Sequence, residues 1–116
     1  MEQRFAASLG RITLNMQIVP LGNDIQIILT GGEAHIGAVA VASADSPQGS
    51  VREMPHHREG ELAQKMACRL AKALNVTVSV SAGIHFPHIS REEIATVFAL
   101  ADRLTEDALT FLEAHR

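Results

Sequence analysis

At 116 residues the chain has the size of one ordinary domain, large enough to bury a core without disulfides or a structural metal. A composition of 47% apolar and 20% charged residues excludes a disordered chain, and a net charge of -3 with no basic block removes the electrostatic footprint of a nucleic-acid binder. No apolar run approaches the ~20 residues that a membrane helix needs, so a membrane span is excluded too.

Arg11 to Ile18 alternates apolar and polar side chains, the period-2 signature of a strand with one buried face. Phe5, Ala7 and Leu9 continue the alternation upstream, with Gly10 at a bulge or bend that resets the register. Pro20 to Asp24 reads as a turn and Ile25 to Leu29 as the returning strand of an antiparallel hairpin. Gly31-Gly32-Glu33-Ala34 is a further turn, and Ile36 to Ala42, apolar on both faces, suits the middle of a sheet. Ser43 to Gly49 is the most flexible-looking loop, and Ser50 to Met54 a short fourth strand ended by Pro55.

From about His57 to Leu74, Leu62, Met66, Leu70 and Leu74 recur at helical spacing, flanked by Ala63, Ala67 and Ala71. Asn75 suits a left-handed residue after that helix, and Val76 to Ala82 alternates again as a strand. Ser90-Arg91-Glu92-Glu93 is a capping box that opens a long helix, with Ile94, Val97, Phe98, Ala101, Leu104 and Ala108 expected on its buried face. This order predicts one domain over residues 1–116, class α+β: a mainly antiparallel sheet of about five strands with two helices packed on one face.

Five of the six histidines fall at the predicted element boundaries, where a rigid scaffold presents functional groups: His35, His56, His57, His85 and His88. Gly31, Gly32 and Gly37 bracket His35 and Ile36, and glycine there either makes a tight turn or lets a ligand approach bare backbone. His56-His57-Arg58-Glu59 opens the first helix, where free amides and the positive dipole end suit an anionic group, with Arg58 as bidentate partner of a phosphate. The plainer reading is an entry turn in which Arg58 is solvated and Glu59 and Glu61 complement the dipole. Gly83, Ile84, His85 and Phe86 lie at a strand end, where Phe86 covers a flat ring or belongs to the core.

His35, His57, His85 and His88 are conceivable zinc ligands, but no spacing is diagnostic and no metal is expected. There is no G-x-S-x-G elbow, no catalytic residue is assigned, and Cys68 reads as a buried, inert thiol. With one cysteine and no secretory h-region at the N-terminus, the expected compartment is the cytoplasm.

Three segments together carry a resemblance: Gly31 to Ala40, His57 to Ala63, and Ala82-Gly83-Ile84-His85. In order and spacing they resemble the LpdD-type prenylated-flavin chaperones, the small D subunits associated with UbiD-type gallate and hydroxybenzoate decarboxylases, from about Thr30 to Leu104. The resemblance implies a non-enzymatic protein that binds prenylated FMN (or FMN) and assists its storage, maturation or delivery to an apo UbiD-type decarboxylase. It implies a cofactor site lined by Gly31, Gly32, His35, Ile36, Gly37, His57, Arg58, Gly83, Ile84, His85 and Phe86. The residues alone also allow a metal-dependent hydrolase built on the clustered histidines, or a structural subunit without ligand, and a homodimer is compatible with each.

Overall fold

Period-2 alternation on the N-terminal side folds as a three-stranded antiparallel meander in the computed structural model of the protein, which describes residues 2–115. Strand β1 (Gln3–Leu9) returns through Gly10 and Arg11 as β2 (Ile12–Leu21), which in turn pairs with β3 (Asp24–Gly32). Gly10, with a φ of 60°, therefore makes a hairpin turn and not a bulge, so Phe5 to Leu9 belongs to a strand of its own.

β4 (Ala38–Ser43) and β5 (Ser46–Glu53) form a second hairpin around Ala44 and Asp45. The loop expected over Ser43 to Gly49 is largely the start of this edge strand. It is mostly exposed, so no hydrophobic alternation marks it. Helix α1 fastens it: Gln64 Nε2 donates to the Gln48 carbonyl at 2.8 Å, and the Cys68 thiol donates to the same oxygen at 3.2 Å. Burial pushes the Cys68 pKa up, which keeps the partly covered thiol protonated.

Helix α1 (Gly60–Leu74), strand β6 (Val78–His85) and helix α2 (Arg91–Ala114) complete the chain. Asn75 closes α1 in the left-handed conformation at φ 57°, its amide donating to the Ala71 carbonyl. The sheet order is β1-β2-β3-β6-β4-β5, with β6 inserted parallel to β3 and antiparallel to β4. Six strands, mainly antiparallel, thus replace the five or so expected, and the α+β class holds.

One face of the sheet is buried under both helices. α1 lies on β4, β5 and β6, and α2 on β1 and β2. Ala38, Ala40 and Ala42 of β4 and Ala63, Ala67 and Ala71 of α1 are all buried, small side chains that let this helix pack close to its strands. Elsewhere the layer is filled by Leu14, Met16, Ile27, Leu29, Leu70, Val80 and Leu104, each buried side chain worth about 1.5–3 kcal/mol of transfer free energy. Ile94 departs from its expected place on the buried face: in the first turn of α2 it is 46% exposed. The packing brings the ends of β3 and β6, the start of β4 and both helix entries to one end of the sheet. No helix among the described residues is long and apolar enough to cross a membrane.

Candidate functional site

The connector Glu33–Gly37 crosses from β3 to β4 over the end of β6. It is held by backbone: Glu33 N–H donates to the His85 carbonyl at 3.0 Å, and Gly37 N–H to Ala82 at 2.9 Å. On this strap, His35 Nδ1 donates to the Glu33 carbonyl at 3.0 Å, which points Nε2 inward to within 2.6 Å of Glu59 Oε2.

Glu59 is the hub of the region. It stands at the N-cap of α1, but its side chain makes no capping bond there and turns into the protein, where the residue is 9% exposed. Its Oε2 also accepts from the Ile84 amide at 3.1 Å, and Oε1 accepts from the Arg58 amide at 2.9 Å. Burial by itself would raise its pKa, but the bonds from Ile84, His35, its own amide and Arg58 outweigh that and hold it below the ordinary carboxylate range. His57 adds a second imidazole: its Nδ1 is 3.8 Å from Glu59 Oε1, and its ring centroid lies 4.5 Å from that of His35.

Two glycines of the sequence pattern exist for this cluster. A Cβ at Gly37 would overlap the Glu59 carboxylate, and one at Gly83 would overlap the His35 carbonyl. The space is filled by protein atoms here, and not left as bare backbone for a ligand. The helix entry is likewise occupied in part, because the Gly60 amide already donates to Glu53 Oε2 at 2.8 Å. An anion at this end would therefore rely on side chains more than on the first amide of the helix.

Beside the cluster runs an open groove of about 520 Å³, within the range of small-molecule sites. Its lining is mixed: the α1 entry and the end of β6 contribute His56, His57, Arg58, Glu59, Glu61 and His85, while Ile84 and, from α2 and its approach, Ile89, Ile94 and Phe98 contribute apolar surface. The exposed Arg58 guanidinium has no ion-pair partner among the described residues.

Of the residues expected to line one site, the fold gathers His35, His57, Arg58, Ile84 and His85, with Gly37 and Gly83 packed behind them. The others do not line the groove. Gly31 and Gly32 sit against the Phe86 ring, which lies under the Arg11 guanidinium at 5.9 Å, while Ile36 is 64% exposed on the connector. Phe86 covers glycine backbone, so the aromatic wall of the groove is Phe98 instead. His88 is exposed, at φ 54°, and joins neither His35 nor His57.

Residue-by-residue reading missed Glu59, because an acidic residue at a helix entry looks like a solvated complement to the dipole. The signal it had was two small-residue positions, Gly37 and Gly83, with no turn of their own to explain them. It also assigned Ile94 and Phe98 to the core, since periodicity does not tell an apolar groove wall from a buried face.

The prenylated flavin chaperone LpdD-like domain matches residues 8–113 of this chain, a span that contains the groove and the His35–Glu59 cluster. The chain belongs to this family. Protein LpdD of Lactiplantibacillus plantarum is 30% identical over 100 residues, covering 82% of this chain and 74% of that protein. The resemblance carried by the three segments is borne out by both. The LpdD-like chain also shares its fold with a subunit in the crystal structure of a chaperone complex for yeast 20S proteasome assembly. That match has a TM-score of 0.61 over 97% of this chain and 96% of the other, at 11% identity, and it speaks to the fold alone.

Proposed function

We propose that this family member is a non-catalytic carrier that binds prenylated FMN in the groove and assists its storage, maturation or delivery to an apo UbiD-type decarboxylase. The observation that carries the reading is the mixed chemistry of the groove. Ile89, Ile94 and Phe98 offer apolar surface to a prenylated ring system, and the same groove holds an Arg58 guanidinium with no ion-pair partner among the described residues. Arg58 would take the phosphate through charge-assisted bonds, and the imidazoles of His57 and His85 would meet the polar edge of the ligand. The family description supports the ligand class, and the D-subunit resemblance supports the decarboxylase as client. A cytoplasmic homodimer is part of the same proposal, for which sedimentation velocity is the direct measurement.

The test is anaerobic titration of the purified chain with prenylated FMN in its reduced and oxidised forms, with FMN as comparator, followed by mixing the complex with apo-decarboxylase. Saturable binding of the prenylated form and transfer that activates the enzyme are expected. Arg58→Ala should weaken binding by roughly 1.5–3 kcal/mol, the worth of a hydrogen bond to a charged group. Absence of binding in both redox states, or a carrier that leaves the apo-enzyme inactive, would overturn the proposal.

A further inference from the structure

His35 is held so that one ring nitrogen is presented to a carboxylate: its Nδ1 donates to the Glu33 carbonyl at 3.0 Å and its Nε2 faces Glu59 Oε2 at 2.6 Å, with the His57 imidazole beside the pair.

We propose that His35, His57 and Glu59 form a binding site for a divalent first-row transition-metal ion of the zinc class. One ligand atom from each lies within 4.8 Å of the other two. Ligands held tetrahedrally at about 2.0–2.2 Å from an ion are about 3.3–3.6 Å apart, so the ion enters if His35 and Glu59 part slightly and His57, at 3.8 Å from Glu59, swings inward. His57 is free to do so, since its side chain is 37% exposed at the groove edge. Two imidazoles and one carboxylate are a donor set that suits zinc and its neighbours and leaves a coordination position open.

The surroundings are those of a metal site as well. The His35 Nδ1–H bond to a backbone carbonyl fixes the ring and its tautomer, and the Ile84 and Arg58 amides orient the two carboxylate oxygens. His57 and Glu59 line the groove, so the open position faces it and would take water or an oxygen donor from an occupant. The ligands come from a connector and a helix entry, His35 and Glu59 being 24 residues apart, which is why no metal motif stands in the sequence.

The experiment is calorimetric titration of the metal-free chain with Zn²⁺, and with Co²⁺ followed by visible absorption, with no flavin present. Its outcome is thus independent of the ligand proposed above. One ion per chain and Co²⁺ bands of a low-coordinate nitrogen and oxygen site are expected. His57→Ala, at the rim, and Glu59→Gln, which keeps an acceptor for Ile84, should each weaken binding by more than about 100-fold, beyond the loss from an outer-shell change. His88→Ala should leave it unchanged. Failure of the folded wild-type chain to bind either ion saturably would overturn the site, as would wild-type affinity in folded His57→Ala.

Discussion

The two helices begin in opposite ways. α2 starts with a complete local device: Ser90 Oγ accepts from the Glu93 amide at 3.0 Å, and Glu93 Oε1 accepts from the Ser90 amide at 3.0 Å. Arg11 then clamps the same carboxylate from β2's hairpin turn at 2.7 and 2.9 Å, adding one distant tie to a motif written within four residues. α1 has no such device. Its N-cap carboxylate leaves the helix, and what holds the entry comes from elsewhere: Glu53 for the Gly60 amide, His35 and Ile84 for Glu59. A glutamate at a helix entry can therefore be a surface cap or an internal hub, and the difference lies in the strands packed next to it.

Substitution at Glu59 should break the α1 entry hardest. Glu59→Ala strands the Ile84 and Arg58 amides and frees His35, and a loss of roughly 3 kcal/mol is expected in urea unfolding. A loss no larger than that of an exposed carboxylate would erase the contrast. Gly83→Ala follows, at about 2 kcal/mol, because the added methyl meets the His35 backbone and not a movable side chain. At α2, Ser90→Ala removes one cap bond and should cost about 1 kcal/mol, with the far-ultraviolet spectrum retained.

The smallest effect is a pH slope. The Arg11 guanidinium, then the Ser90 amide, hold the Glu93 carboxyl at about 2, below its value in the unfolded chain. The stabilisation is thus complete above the ordinary carboxylate range and disappears as pH falls toward 2. Arg11→Met should flatten the stability curve over that acid limb only, since the pair is partly exposed. A slope of the same size in the variant would assign it to other carboxylates.

Elements with a local signature were legible in the sequence. The alternation of Arg11 to Ile18, the helical spacing of Leu62, Met66 and Leu70, the left-handed Asn75 and the Ser90 box all occur as read. Only the second half of β5 was legible, as the short strand read from Ser50 to Met54; its start from Ser46 to Gly49 was read as loop, because an edge strand with both faces near solvent carries no alternation. Part of the candidate site was legible too: glycines and histidines at boundaries pointed to His35, His57, Arg58 and His85, which the fold brings together. Phe86 was drawn in by its neighbours in sequence, while in space it covers Gly31 and Gly32 and does not line the groove.

What the sequence by itself determined is local: strand and helix periods, caps, turns, and the three segments that carry the family resemblance. These depend on side-chain spacing within a few residues, which a single chain displays openly. Tertiary structure alone decided that β6 lies between β3 and β4, because a period-2 pattern states which face is buried and not which strand is its neighbour. That insertion carries Ile84 and Gly83 beneath the His35 connector and beside Glu59. An ordinary acidic residue became the centre of the candidate site because two segments distant in sequence, the His35 connector and the end of β6, meet it there beside its neighbour's amide.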